Sequence, residues 1–276
     1  MCIDAHQHYW SLGRKDYSWI SPKRPVLNRD YLPKDLEPFL VRNDVEQTIV
    51  VQSTPTLAET EFLLLMAESE ATIAGVVGWV DMASPSALRN LDRFADHRKF
   101  CGIRMMAQGK DDPNWLEGSE FSEGLNRLTV LDKSLDVLVR EEHLGALERL
   151  IVRHPNLRVL INHAAKPTLT EKAFHSWSVA MRRLAGYPNV YCKLSGLTAA
   201  ASAYPTAEDF APFVQEIIAS FGPARVIWAS DWPVLNETSD YDAWMALTKE
   251  LLTSLSPKDC EQIMGKNAKA AYRLSP

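Results

Sequence analysis

The chain has 276 residues, enough to bury a large core, and its 46% hydrophobic and 24% charged content is that of a globular protein. A net charge of −5, with 35 acidic and 30 basic residues interspersed rather than in runs, excludes the basic stripe of a nucleic-acid groove. No apolar stretch approaches the ~18 residues of a membrane span.

Cys2, Cys101, Cys192 and Cys260 lie far apart, with no CxxC and no disulfide framework. No charged segment followed by an apolar one opens the chain. Reduced thiols and a cytoplasmic location are therefore expected. The oligomeric state leaves no mark on the composition.

In chain order, the first stretch is Ile3-Asp4-Ala5-His6-Gln7-His8, read as a buried strand. Alternation puts Asp4, His6 and His8 on one face, with the two imidazoles about 7 Å apart along the backbone. A lone His-x-His pair is weak evidence, and its weight depends on what later strands carry. Residues 11–31 form a long aromatic loop with Tyr17, Trp19, Pro22 and Pro25, which suits a lid over a pocket and a plain packing arm equally well.

A regular alternation follows. A helix spans Leu32 to Asn43 with Pro33 in its first turn, and a β-branched strand spans Thr48 to Gln52. Leu57 to Ala71 is a helix with Glu59, Glu61, Glu68 and Glu70 at solvent positions, and Ile73 to Val80 is a strand. Ser84, followed by Pro85, caps a helix to Ala95, and Phe100 to Met106 is a strand. Beyond a loop at 107–118 come a helix over Ser119–Leu128, a strand over Ser134–Val139, a helix over Glu141–Arg153 and a strand over Arg158–Asn162. The remaining pairs are Thr170–Leu184 with Val190–Leu194, then Ala207–Phe221 with Arg225–Ser230. Asp240–Leu255 and a last helix from Ser256-Pro257 to about Ala271 end the series.

The strands are short, apolar and without polar alternation, as parallel strands covered on both faces are. Eight of them, each followed by a helix or a helix-sized connection, give an α/β chain forming one (β/α)8 TIM barrel over residues 1–276. The alternative, a doubly wound open sheet, loses its commonest dinucleotide form because no GxGxxG follows the first strand.

In such barrels the functional groups lie at the C-terminal ends of the strands. Those ends carry His6 and His8, Gln52 and Ser53, Arg104, Asn162-His163 with Lys166, Lys193 and Ser195, and Ser230-Asp231-Trp232-Pro233. Three histidines and an aspartate are what one catalytic divalent-ion site needs. Singly, each has a plainer reading: His163 as a hydrogen-bonded core histidine, Asp231 as a turn cap, Arg104 as an ion-pair partner, Lys193 as a residue snorkelling outward. Together, polar groups at one end of so many buried strands are hard to explain as packing, since each costs about 1–3 kcal/mol if unpaired. His97, His143, His154 and His175 fall on helices or their ends and are read as surface groups.

These residues bring the chain to a known family. His6-Gln7-His8, Gly102-Ile103-Arg104, Ile161-Asn162-His163-Ala164-Ala165-Lys166-Pro167, the Asn189–Leu197 segment and Trp228-Ala229-Ser230-Asp231-Trp232-Pro233 resemble the amidohydrolase superfamily. More narrowly they resemble its sugar-lactonase branch, the relatives of L-fuconolactonase and 2-pyrone-4,6-dicarboxylate lactonase. Metal-dependent members add a Lys or Glu on the fourth strand and a second middle-strand His. Arg104 stands on the fourth strand here and cannot be carbamylated, so a binuclear centre is not expected.

The resemblance implies at most one divalent ion, zinc, held by His6, His8, His163 and Asp231, in a branch whose sites bind it weakly or work without it. It implies hydrolysis of a small-molecule lactone, with Asp231 activating water and His163, the other histidines or the ion polarising the carbonyl. Arg104 and Lys166 would hold ring or product oxygens, Gln52 and Trp232 would contact the sugar face, and Trp10 and Trp115 would roof it. A metal-dependent decarboxylase and a non-catalytic binding protein on the same scaffold are the rival expectations.

Overall fold

The computed structural model describes residues 1–200 and 206–274, and within them eight parallel strands stand in sequence order as a barrel. They are β1 (Ile3–Gln7), β2 (Gln47–Val51), β3 (Ile73–Gly78), β4 (Phe100–Met106), β5 (Ser134–Leu138), β6 (Val159–Ile161), β7 (Val190–Leu194) and β8 (Val226–Trp228). The barrel closes through the segment after β8. Asp231 N donates to His6 O at 2.8 Å and His8 N donates to Trp232 O at 2.7 Å.

The helices of the outer layer are α1 (Pro33–Arg42), α2 (Leu57–Ser69), α3 (Ala87–Ala95), α4 (Ser122–Val130), α5 (Leu144–Arg153), α6 (Glu171–Ala185), α7 (Ala207–Phe221) and α8 (Tyr241–Leu251). Short polar side chains start several of them: Thr56, Thr170 and Asp240 accept from the backbone N–H three residues on. Ser84 does not cap α3. Its hydroxyl accepts from Ser86 N at 3.2 Å, and this local turn around Pro85 delays the helix to Ala87. The expected last helix is broken into α9 (Pro257–Glu261), a π-turn over Gln262–Lys266 and α10 (Asn267–Ala271). The wide turn brings Gly265 against Met1 and Ile3, where an added Cβ would meet Met1 O at 2.5 Å.

Apolar burial is split into two clusters. The larger fills the space between strands and helices. The smaller lies against Ile3, Ile49, Val77, Leu160 and Ile227 and includes Tyr272 and Leu274 from the end of the chain. A fully buried polar column rises from it. The Tyr272 hydroxyl donates to Asp136 at 2.9 Å, Asp136 pairs with Lys193 Nζ at 2.6 Å, and Nζ lies 3.1 Å from His6 Nδ1. Lys193 therefore points inward, its charge compensated by a carboxylate from β5. A lone buried ammonium would be far costlier.

Three further expectations are corrected here. Register is irregular between Asp4 and Gln7, so strict alternation fails. Asp4 accepts from Ser230 N and from the Tyr241 hydroxyl of α8, whereas His6 faces His163 at 4.5 Å between ring centroids. Glu59 is fully buried rather than at a solvent position. His143 and His154 are buried too: His143 Nδ1 accepts from Arg140 N at 3.1 Å, and His154 pairs with Asn126 at 3.0 Å.

Candidate active site

Two strained turns aim the central groups. At the end of β6, His163, Ala164, Ala165 and Lys166 all have positive φ, between 49° and 62°. Such a run costs about 1–2 kcal/mol per residue and persists only where its surroundings hold it. Trp177 from α6 donates its indole N–H to Ala164 O at 2.8 Å, and Lys166 N closes on His163 O at 2.7 Å. Gly196 makes room for the ring: a Cβ there would sit 2.7 Å from His163 Cγ, on a backbone with φ of 64°. After β8, Asp231 also has positive φ, 62°, and Ser230 Oγ anchors the turn on Asp4 at 2.5 Å.

These turns converge on one point. Asp231 Oδ1 lies 3.8 Å from His6 Nε2, 3.4 Å from His8 Nε2 and 3.6 Å from His163 Nε2. His6 and His8 approach at 3.3 Å through Nε2. Arg104 reaches in from β4, its Nη1 3.5 Å from His6 Nε2 while Nη2 donates to Gln52 O. All five residues are 5% exposed or less.

Burial sets the charges. Desolvation pushes His6 and His8 below the ordinary imidazole range and His163 down to about 3, so the rings are neutral near pH 7. Burial pushes the Asp231 carboxyl up, but His163, His8 and Lys166 outweigh it and hold the group well below the usual carboxylate range. Desolvation lowers Arg104 to about 10, opposed by Asp231, leaving it charged. Lys166 is lowered by burial first and then by Arg140, Arg104 and Arg24, with Asp231 opposing.

The donor set suits a borderline divalent cation. Ligand atoms of His6, His163 and Asp231 all lie within 4.8 Å of one another, and His8 stands beside them. Donor separations of 3.3–3.8 Å run upward from the ~3.3 Å edge of a tetrahedron with ~2.0 Å bonds. His8 Nδ1 lies 2.7 Å from Val51 O, which only accepts, so Nδ1 holds the proton and Nε2 keeps its lone pair. His163 Nδ1 meets Ser195 Oγ at 2.8 Å.

A cavity of about 430 Å³ opens over this cluster, with His8, Arg104, His163, Lys166 and Asp231 in its wall. The 11–31 loop forms its roof, contributing Ser18, Trp19 and Arg24. Arg24 is held by a two-pronged ion pair with Glu237, and its guanidinium lies 5.0 Å over Trp19. Buried Glu59 pins the loop. It accepts from the Tyr17 hydroxyl at 2.7 Å and from Ser53 Oγ at 2.7 Å and Ser53 N at 3.2 Å, while Thr54 Oγ1 donates to Asp16 O.

Four residues expected at the substrate lie elsewhere. Trp10 is fully buried, donating to Arg29 O and packed on Tyr31. Trp232 is wedged edge-on between Tyr9 and Tyr31. Gln52 lies behind the wall, where its amide atoms have no partner among the described residues. Trp115 lines a neighbouring cavity. Asp136 of the column and Arg24 of the roof carry no motif in the sequence, and Trp19 stands out there only as one aromatic of a loop that suits a lid and a packing arm equally. A carboxylate in the middle of the apolar strand Ser134-Leu135-Asp136-Val137-Leu138 was the available signal for the first.

The amidohydrolase family model matches residues 3–274. The chain is 39% identical to an L-fucono-1,5-lactonase of Burkholderia ambifaria over 99% of its own length and 95% of that protein. It is 36% identical to an L-fucono-1,5-lactonase of Burkholderia multivorans, covering 99% and 96%. An amidohydrolase from Burkholderia multivorans, solved with bound zinc, superposes with a TM-score of 0.93 at 34% identity over 100% of both chains.

Proposed function

The chain belongs to the amidohydrolase family, and from that premise we propose that it hydrolyses a sugar lactone, such as L-fuconolactone, to the open sugar acid. The observation that carries the reading is the meeting of the Asp231 carboxylate, the His8 and His163 imidazoles and the cations Arg104 and Lys166 in one cavity wall. Two full-length relatives that are L-fucono-1,5-lactonases give the substrate class.

Hydrolysis needs a base for water, a stabiliser for the carbonyl oxygen as it becomes an oxyanion, and a proton for the departing ring oxygen. Asp231 is the base. It stays ionised, and it takes the water proton as the water oxygen bonds to the carbonyl carbon. It then returns that proton to the ring oxygen as the acyl C–O bond breaks. His163, with Ser195 behind its Nδ1, polarises the carbonyl. Arg104 and Lys166 hold substrate oxygens as charged donors. Trp19 and Arg24 cover the ring and limit water to the attacking molecule. Where His6, His163 and Asp231, with His8 beside them, hold a divalent ion, that ion would supply the Lewis-acid polarisation in place of the His163 N–H. Localisation in the cytoplasm fits the same reading through the four unpaired thiols.

A pH-indicator assay over L-fucono-, galactono- and arabinono-lactones and a pyrone lactone, with and without chelator, tests this. Acid release on at least one aldonolactone, absent with Asp231→Asn, is expected. Release of carbon dioxide from an aromatic acid, with no acid release on any lactone, would replace the reading with a decarboxylase.

A further inference from the structure

Beside the catalytic cavity lies a second one of about 450 Å³, and Pro55, Met106 and Gln108 line both. Its wall comes from the ends of β3 and β4 and from the 107–118 loop, and no step of the proposed hydrolysis uses it. The catalytic cavity alone falls in the ~300–1,000 Å³ range of small-molecule sites. A monosaccharide lactone is therefore fully housed without the second space.

The chemistry of the second cavity narrows its occupant. Trp79, Trp115 and Met82 give it broad apolar surface, and Asp81 and Lys110 stand among them with opposite charges that leave the wall near neutral. Lys110 Nζ lies 4.9 Å over the Trp115 ring. A sugar ring combines an apolar C–H face with a hydroxyl edge, and it suits aromatic surface interleaved with a carboxylate and an ammonium. An alkyl or aryl group would use the tryptophan surfaces alone and leave the exposed Asp81 and Lys110 at the edge, and the buried Gln108 Oε1, without a partner. An anion would meet Asp81. Gln108, at the junction, carries a buried Oε1 with no partner among the described residues, an acceptor placed where the two rings of a longer substrate would join.

We propose that the second cavity is a glycone subsite, so that the enzyme accepts aldonolactones carrying a glycosyl substituent, with the lactone at Asp231 and the second sugar between Trp79 and Trp115. This rests on the lactonase reading and extends its substrate class from one ring to two.

The test compares kcat/KM on galactono- and glucono-lactone with that on lactobiono- and cellobiono-1,5-lactone, for the wild type, Trp115→Ala and Asp81→Asn. The wild type is expected to open a disaccharide lactone at least as efficiently as a monosaccharide one. Trp115→Ala should lower the disaccharide value by about tenfold or more, chiefly through KM, and leave the monosaccharide value within about twofold. Asp81→Asn, at an exposed position that leaves the packing alone, should move the same way and settles the case where Trp115→Ala melts early. Turnover of monosaccharide lactones, with disaccharide lactones neither opened nor inhibitory, overturns the subsite and leaves the hydrolase intact. Equal losses on both substrates in both variants also overturn it. Absence of turnover on every lactone removes the hydrolase reading and the subsite with it.

Discussion

Glu59 is where the loop over the cavity is fastened, and replacing it tests whether that fastening matters. Glu59→Ala orphans three buried donors at once: the Tyr17 hydroxyl, Ser53 N and Ser53 Oγ. It also removes the carboxylate 3.7 Å from Arg14, which keeps Asp16 at 2.7 Å. Each orphaned donor costs about 1–3 kcal/mol, and the cost is reduced where a hydroxyl rotates to a new partner, so the total is roughly 3–5 kcal/mol. For a chain of this size each kcal/mol is worth about 2–4 °C, so the melting temperature should fall by roughly 6–20 °C. With Tyr17 released, Trp19 and Arg24 are less firmly held over the substrate, and KM for the lactone should rise several-fold while kcat changes less.

The conservative Glu59→Gln adds a pH test. Burial, the largest influence, raises the Glu59 carboxyl above its ordinary value, opposed by donors from Tyr17 and Ser53. The folded state therefore holds this proton more tightly than the unfolded chain does. Stability from the group is full below the unfolded value of about 4.3 and is lost as pH rises through the folded one. Gln carries no such loss, so the deficit of Glu59→Gln relative to wild type should narrow from pH 4 to pH 7. Thermal melts at both pH values and steady-state kinetics measure all of this. A Glu59→Ala protein that melts within about 2 °C of wild type with KM unchanged would refute the fastening, as would a Glu59→Gln deficit that widens with pH.

Three further outcomes follow from the cavity. Asp231→Asn should reduce kcat/KM by about 10²–10⁴ while the near-ultraviolet circular dichroism stays native; activity near wild type would remove Asp231 as the base. Because Asp231 is held well below the carboxylate range and His163 is down at about 3, activity per mole should stay flat as pH falls from 7 to about 5. An acid limb near 6.5 in a pH–rate profile would mean that an imidazole, or water on an ion, titrates in the working enzyme. Lys166→Met should raise KM by about 10- to 100-fold, the worth of one charge-assisted hydrogen bond; an unchanged KM would place the Lys166 ammonium away from the substrate.

The barrel was legible in the chain because its signals are local. The β-branched run Thr48–Val51 and the short run Val190–Leu194 are stopped by turn residues, and the α7 pattern ends where it was expected, at Phe221. The convergence of His6, His163 and Asp231 was legible for a different reason: strand ends in a barrel share one mouth, so order along the chain stands in for position in space. What failed was what depends on a partner from another element. Glu59 looked like one of a solvent-facing series, and only Tyr17 and Ser53, from two other segments, explain its burial. Trp10 looked like a roof and Trp232 like a sugar platform because tryptophan suits both roles, but both are buried in edge-to-face packing with tyrosines and present no open face to a sugar. Lys193 looked free to snorkel until Asp136, 57 positions earlier, met it in the barrel interior. Strand-end position told which residues reach the mouth of the barrel. Whether a polar group there faces the substrate or serves the scaffold is decided by its distant hydrogen-bond partners, and these carry no periodicity for a sequence to display.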